Sequence, residues 1–554
     1  MPQDRLDLVV IAGDAPMEVL GQHARDGMRL HIAGLPASLH VLQAYFEEGR
    51  DPAATARRVT TGWPEFVSLN GAWLQQYLER HHLAVEVVQS FTADRERLDR
   101  LLATGPRAVA ISTTFMPFAE RIDEVAAEVR RLSPDSLIIL GGIQVWKSYQ
   151  HRRLVEKGRM DPAIIPAVSE HNYLMDESRP SPADALVVSE AGEQTLAAIV
   201  KCLRDGRDWR GLDNVAHFAP STGEADGGGG KWKLNPVVTE PWVEVEVDWS
   251  RCRHRPDGAW IPIQAGVGCG FDCAFCDFRG LRKGRKRGID GVVDEIRSLP
   301  PDRDGLRRIY FTDDNLFGTR ERAIELCTKL IAADLHARWR GLIRVDLIDE
   351  ELAHLLKASG CHEALFGIES GDPGILNAMH KHITPERILV GIRAMAIAGI
   401  NTKSTFIIGF PGETAQSISN TVAMLNAYPT EFNAVHRYLF FTYAVLPLSI
   451  VAKPEARQQY GLKGYGFHWK HHTMTSAEAE AHVATLHPRI RPELSPNYVL
   501  ESPDLPDIAR LKRAYTLRNR LVLAERDPNL AHEIPGLWDS LEECFVADAV
   551  GAGR

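Results

Sequence analysis

The sequence predicts an α/β protein in three parts: a doubly wound sheet domain over residues 1–235, a partial (β/α)6 barrel over 236–445, and a mostly helical C-terminal region over 446–554. Three observations predict it. Short apolar runs alternate with amphipathic helical patterns before residue 235, a second such alternation starts near Trp260, and a Gly/Asp-rich tract, Ser221–Gly230, separates the two as a hairpin or linker tip.

In the first part, Leu6–Gly13, Ala84–Val88, Ala108–Ser112, Leu137–Gly142 and Ala185–Glu190 read as buried strands, and Ile122–Leu132 as one of the helices between them. Ligands of such sheets bind beyond the carboxyl ends of the strands. That rule gathers Ser112, Thr113, Thr114, Gly141, Gly142, Ile143, Gln144, Glu190, Gly192 and Glu193 on one rim. No Gly-x-Gly-x-x-Gly follows the first strand, so a dinucleotide is a poor candidate ligand. The first crossover is long, Asp14–Phe66, and carries a helical run, Ser38–Glu48, expected to cover a cofactor or a partner chain.

The second part opens on the strand-like Trp260–Gln264 and then Gly266-Val-Gly-Cys-Gly-Phe-Asp-Cys-Ala-Phe-Cys. Cys269, Cys273 and Cys276, spaced Cys-x3-Cys-x2-Cys, supply one thiolate too few to close a cubane iron–sulfur cluster and so leave one iron open. A structural zinc site, with Cys252 or His254 as fourth ligand, is the alternative, but such sites come as two Cys/His pairs and no second pair follows.

Further strands are expected near Arg308–Phe311, Gly341–Val345, Ala364–Ile368, Asn401–Ile408 and Ala434–Phe441, with crossover helices around Ile324–Ile331, Glu351–Lys357 and Ile388–Met395. The chemistry-bearing residues fall at the strand ends, where β/α barrels place reactive groups. Asp313 and Asp314 suit an ammonium group and Arg344 a carboxylate. Glu369, followed by Ser370, suits ribose hydroxyls, with Gly367 and Gly371 permitting close backbone approach. The turn Gly409-Phe-Pro-Gly, with Pro411 and Gly412, offers backbone groups to an adenine edge. A ligand with ammonium, carboxylate, ribose and adenine is S-adenosylmethionine (SAM). Taken singly, each signal has an ordinary structural reading as a helix start, a surface ion pair or a turn.

Over about residues 255–445 these motifs, with the aromatic Phe275 before the last cysteine, resemble the radical SAM enzymes. A doubly wound domain ahead of such a barrel resembles the cobalamin-dependent members, whose first domain is Rossmann-like. The resemblance implies that Cys269, Cys273 and Cys276 hold a [4Fe-4S] cluster, that SAM chelates its open iron, and that its cleavage yields a 5′-deoxyadenosyl radical. It implies cobalamin on the first rim, with Asn70 in Ser68-Leu-Asn-Gly-Ala-Trp a guess for the group below cobalt. The Asp-x-His-x-x-Gly motif that places a histidine on cobalt in other cobalamin proteins is absent, although His23, His31, His40, His81 and His82 lie nearby. The activity so implied is methylation of an unactivated carbon, with phosphorus the second choice, of a small-molecule biosynthetic intermediate, using two SAM molecules per methyl. A radical cyclase or ring-rearrangement enzyme, or a non-radical cobalamin methylase, is the alternative. An electron donor such as flavodoxin or ferredoxin is the implied partner.

A net charge of −9 and the lack of long apolar runs argue against membrane insertion, and the polar N-terminus against a signal peptide. Eight cysteines without a disulfide framework suit a reducing cytoplasm. The basic run from Arg279 to Arg287 suggests a nucleic-acid module with a zinc-ordered loop as a second class, but it lacks interleaved aromatics and the chain is acidic. In the C-terminal part, Tyr460–Met474 is dense in aromatic and histidine side chains and is expected to cap the barrel mouth. Ile508–Leu523 reads as a closing helix, and no catalytic acid or base is assigned.

Overall fold

The computed structural model describes residues 5–14, 30–32, 34–61, 67–116, 119–170, 172–176, 181–220, 230–252, 258–282, 284–497 and 507–546. His23, His254, Lys283 and the tip of the Gly/Asp-rich tract lie outside the described residues.

Seven strands form the first sheet: β1 (Leu8–Ile11), β2 (Val85–Val88), β3 (Ala108–Ser112), β4 (Leu137–Gly141), β5 (Ala185–Val187), β6 (Val215–Pro220) and β7 (Gly230–Leu234). Their order is β2-β1-β3-β4-β5-β6-β7. The first five pair in parallel, while β5–β6 and β6–β7 are antiparallel. Every residue of β1 and β3 is buried, as both faces of a parallel sheet require helical cover, and this accounts for runs such as Leu-Val-Val-Ile. The chain order reverses between β1 and β3, so the crevice beyond their carboxyl ends opens at Ser112–Thr114. The hairpin β6–β7, which brackets the Gly/Asp-rich tract, belongs to this sheet. Its antiparallel strands carry Trp232 and Phe218 in edge contact, a pattern less regular than the parallel runs.

The second sheet runs β8 (Ile261–Ile263), β9 (Arg307–Phe311), β10 (Ala337–Leu342), β11 (Cys361–Glu369), β12 (Asn401–Ile408), β13 (His436–Thr442) and β14 (Ser495–Pro496), parallel throughout and in chain order. Six βα units are thus present, with the two-residue β14 added beside β13. One strand lies earlier than expected: β10 ends at Leu342, because Arg344 already precedes the 3-10 turn Val345–Leu347 and Asp349 caps the next helix. The Arg-Trp-Arg pattern conceals that strand. Trp339 is fully buried beneath the crossover helices, while the alternate residues Arg338 and Arg340 take the barrel side.

Between the sheets, residues from Asn235 to Asp248 run without regular structure along the helix Leu69–Arg80. Gln76 exchanges two hydrogen bonds with the Asp248 backbone, at 3.0 and 2.9 Å. One apolar cluster extends from β1 through Trp249 into the barrel. A separate cluster joins the helix Leu39–Glu47 of the first crossover to the C-terminal helices Ile508–Ala524 and Ile534–Val546. Tyr460–Met474 forms a small hairpin, Lys463–Tyr465 with His468–Lys470, seated on the end of β12. Among the described residues no helix is long and apolar enough to cross a membrane.

The helix Leu69–Arg80 lies so close to the sheet that a Cβ at Gly71 would stand 2.8 Å from the Ala12 Cβ and 3.0 Å from Val87 Cγ1. Gly71→Val is expected to cost about 1–3 kcal/mol by overpacking. A melting temperature equal to that of the wild type would contradict this packing.

Candidate active site

The loop after β8 is built by hydrogen bonds from both sides. Gly266–Val267 pairs antiparallel with Arg285–Lys286 and closes the base of the loop. The two carboxylates at the end of β9 hold its start: Ala265 N donates to Asp313 Oδ2 at 3.0 Å and Gly268 N to Asp314 Oδ2 at 2.8 Å. Burial pushes Asp313 up to about 7, against the pull of Lys286, whose Nζ lies 3.7 Å from Oδ1. Both aspartates also face the cavity described below.

Cys269, Cys273 and Cys276 are free, half-buried and together on the cavity wall. Phe278 N donates to Cys276 Sγ at 3.4 Å, and Asn315 Nδ2 approaches Cys269 Sγ at 3.9 Å. Burial raises Cys273 and pushes Cys276 up to about 12, so thiolates here would need metal cations as counter-charge. Among the described residues no three His, Cys, Asp or Glu side chains gather around a single ion. A cubane sets each thiolate on a different iron, so its ligands need no such convergence.

The next two strand ends are linked. Arg344 donates to Asp346 at 2.8 and 3.0 Å and to the Lys381 carbonyl at 2.9 Å, with its guanidinium 3.7 Å above the Phe271 ring. Lys381 donates to the Gly367 carbonyl at 2.7 Å and stands 3.9 Å from Glu369. Glu369 is buried in a left-handed conformation, φ 73°, and its Oε1 would be 2.5 Å from a Cβ at Gly367. A side chain at position 367 would displace this carboxylate from where it folds back over the strand.

Phe275, Asp313, Asp314, Arg344, Glu369 and Lys381 all line the cavity. Ser370, Gly409, Pro411 and Gly412 are not on its wall. Ser370 is buried against Thr421, 3.3 Å between hydroxyls. The Gly409 turn is closed by Glu413, which accepts from Gly409 N at 2.5 Å, and the Gly409 carbonyl meets His471 Nε2 at 3.1 Å. Gly409 has φ 96°, and a Cβ there would lie 2.6 Å from the Trp469 ring.

On the first sheet the expected rim is hydrogen-bonded within itself. Asn70 Nδ2 donates to Ser112 Oγ at 2.6 Å, Thr113 Oγ1 donates to the Gly141 carbonyl at 2.9 Å, and Gln144 N donates to Thr113 Oγ1 at 3.2 Å. Thr113 and Gln144 thus stand behind the wall, while Asn70, Ser112, Thr114, Gly141, Gly142, Ile143, Glu190, Gly192 and Glu193 face the cavity. Gly142 has φ 107°, and a Cβ would meet the Thr114 and Thr113 hydroxyls at 3.0 and 3.1 Å. Burial raises Glu193 to about 7. Glu190 lies 3.7 Å from Arg285 of the cysteine loop, a bridge between the two parts.

Both sets of residues line one cavity of 1820 Å³. Sequence reasoning misses Lys381, Phe545 and Arg340 and gives His40 no role, although all four are on its wall. Lys381 follows no motif and arrives through the loop after β11. His40 sits in the helical run expected to cover a ligand, and that expectation is the available signal. Phe545 comes from the far C-terminus, where nothing in the sequence points to the site.

Residues 263–425 match the Radical SAM superfamily. The chain carries a radical SAM domain. It is 32% identical over 361 residues to the cytidylyl-2-hydroxyethylphosphonate methyltransferase of Streptomyces wedmorensis, covering 58% of this chain and 61% of that protein. It is 28% identical over 322 residues to the anaerobic magnesium-protoporphyrin IX monomethyl ester cyclase of Rubrivivax gelatinosus, covering 55% and 51%. The chain spans about half the length of the curated relatives it matches first. A solved structure of the radical SAM methyltransferase TsrM from Kitasatospora setae, with cobalamin and a [4Fe-4S] cluster bound, aligns with TM-score 0.51 at 18% identity, covering 82% of this chain and 78% of that one. At that identity the likeness is one of fold.

Burial raises Glu413 from 4.5 to about 8, against the Gly409 N–H. Between those values the folded chain keeps a proton that the unfolded chain has released, so this group makes stability fall as pH rises through the window. Glu413→Gln keeps an acceptor for Gly409 and removes the titration. Its unfolding free energy is expected to decline less than that of the wild type between about pH 5.5 and about pH 8.5, by on the order of 1–4 kcal/mol. Parallel pH profiles would refute it.

Proposed function

We propose that this chain is a cobalamin-dependent radical SAM methyltransferase acting on a carbon of a small-molecule biosynthetic intermediate, with phosphorus the second choice of target. The observation that carries the reading is the single cavity bounded both by the three cysteines and by the strand ends of the first sheet. The radical SAM match supports one half of it, and the fold neighbour, solved with cobalamin and cluster, supports the pairing.

In this reading Cys269, Cys273 and Cys276 hold the cluster, with the Phe278 amide and Asn315 directed at the sulfurs. Asp314, Arg344 and Lys381 hold the amino-acid end of SAM. Glu369 takes the ribose hydroxyls, Phe275 packs beside it, and the Gly409–Gly412 turn with Ser370 shapes the adenine end from behind the wall. Cobalamin is held on the rim of Asn70, Ser112, Thr114, Gly141–Ile143, Glu190, Gly192 and Glu193, braced from behind by Thr113 and Gln144; a Cβ at Gly142 would press on the Thr113 and Thr114 hydroxyls that shape this wall. When bound, the reduced cluster supplies the electron that splits SAM, and cobalamin carries the methyl group. The protein holds these groups close and keeps water away from a radical. Residues 1–235, 236–445 and 446–554 serve as cobalamin-binding, radical SAM and substrate-covering parts. A flavodoxin or ferredoxin supplies electrons, and eight free cysteines suit the cytoplasm.

The cyclase relative keeps a second reading open, ring formation without methyl transfer. The by-products separate them: with reductant, SAM and candidate substrate, methyl transfer yields S-adenosylhomocysteine, whereas cyclisation yields 5′-deoxyadenosine without it. No S-adenosylhomocysteine under any substrate would remove the methyltransferase reading.

Two sets of variants test the residues. Replacing Cys269, Cys273 and Cys276 together by alanine is expected to abolish bound iron and all SAM cleavage while cobalamin still binds. Brown chromophore surviving in that variant would contradict the ligand assignment. Gly142→Trp is expected to lose cobalamin absorbance while keeping its iron; stoichiometric cobalamin in it would displace the corrin from this rim.

A further inference from the structure

Below the cysteine loop the cavity continues into the barrel, and its floor has a chemistry of its own. Arg340 on β10 lies over two aromatic rings, with its guanidinium carbon 4.5 Å from the Trp260 ring centre and 4.9 Å from that of Tyr310. Trp260 immediately precedes β8, Tyr310 on β9 and Arg340 on β10 are direct register partners, and all three line the cavity. Trp260 is in turn stacked on His362 at 5.9 Å and 30°. Both rings thus lie within cation–π range of one guanidinium, a contact that lets a weakly hydrated cation leave water at modest cost. A guanidinium also carries planar N–H donors of the kind that match an oxyanion.

A second observation points the same way. Trp260 Nε1 is buried and has no hydrogen-bond partner among the described residues, although a buried indole N–H ordinarily finds one. The local charge also favours an anion. Glu363, the register partner of Arg340 on β11, is the carboxylate at this level; it already accepts from Arg437 and feels Arg437, Arg340 and Lys403 together. Arg340 precedes Arg344 by four residues, up to roughly 13 Å along an extended strand, so the floor is distinct from the place assigned to the SAM carboxylate.

We propose that Arg340, with the Trp260 and Tyr310 donors, forms a substrate subsite for an oxyanion: the small molecule carries a carboxylate, phosphate or phosphonate that docks on the barrel floor, with its reacting atom directed up toward the cysteine loop. The proposal rests on the reading that the upper cavity takes SAM and cobalamin.

The test uses the full chain loaded with cluster and cobalamin, with iron and cobalt measured on the same sample. A shortfall in either metal counts against the upper-cavity reading and leaves the floor to be judged by binding alone. Three probes are titrated: inorganic phosphate and methylphosphonate by 31P line broadening, and propionate by 1H saturation transfer. The strongest saturable binder identifies the class of oxyanion. Arg340→Leu is expected to weaken it about tenfold or more, as loss of a charge-assisted hydrogen bond does. Arg340→Lys should recover part, keeping the charge without the planar fork. Trp260→Phe keeps the ring and removes only the N–H, and is expected to weaken binding several-fold. The proposal is overturned if no probe binds saturably to the wild type. It is equally overturned if affinity is unchanged in Trp260→Phe and, where it folds, in Arg340→Leu, which would place the binding elsewhere.

Discussion

One buried carboxylate joins the three parts of this protein. Asp277, directly after Cys276, accepts from the Leu448 amide at 3.0 Å and faces Lys147 Nζ at 3.6 Å. Lys147 belongs to the helix Ile143–Glu156 that starts at the Gly142 rim, and Leu448 to the segment leaving β13. Burial raises Asp277, while Lys147 and the Leu448 N–H pull the other way. Four residues on, the Leu281 carbonyl accepts from Trp146 Nε1 at 2.7 Å, a second tie between the same helix and the same loop. The rim of the first sheet and the cysteine loop are thereby held against one another by groups that neither could satisfy alone.

The parallel sheets explain why that junction becomes a site. In a run of parallel strands every strand-to-helix loop leaves at the carboxyl end, and here the carboxyl ends of the parallel strands of both sheets meet across one cavity. Close approach then falls to glycine at two places. Gly142 has a backbone conformation that L side chains rarely adopt and no room for a Cβ, and Gly367 makes way for the Glu369 carboxylate. Both sit where a strand ends and a wall of the cavity begins.

Much of this is legible in the sequence, and the reasons differ from element to element. β3 and β12 can be read to the residue: β3 is a short, wholly buried apolar run, Ala-Val-Ala-Ile, while β12 carries polar residues along its first half and is marked by β-branched Thr and the closing Phe-Ile-Ile. β10 is displaced in such a reading because Arg338 and Arg340 occupy its barrel side, so the run looks like surface. The cysteines and the acids at strand ends are legible because their spacing is local. Lys381 is not, because it reaches Glu369 through a loop fourteen residues after the carbonyl it binds, Gly367. In the sequence Asp313 and Asp314 look like groups facing a ligand; the structure shows them first as the acceptors that pin the loop backbone, a role no spacing discloses.

The C-terminal helices show how far a site's wall can lie from its motifs. Arg518, fully buried on the helix Ile508–Ala524, donates to the Ala37 carbonyl at 3.2 Å and to Ser495 Oγ at 2.9 Å, which ties the first crossover to β14. Lys512 on the same helix donates to the Thr430 and Phe432 carbonyls before β13. Arg50 at the end of the crossover helix pairs with Asp539 at 2.8 Å and Glu542 at 2.5 Å on the last helix. These contacts hold the helix Leu39–Glu47, and with it His40 and Gln43, against the cavity, with Phe545 beside them. Exposed pairs of the Arg50 kind contribute little by themselves. The buried guanidinium of Arg518 and the apolar cluster around Tyr515 and Leu541 set the position instead. The shape of the cavity therefore depends on residues nearly five hundred positions apart, because helices with apolar faces from both ends of the chain had to be buried against each other.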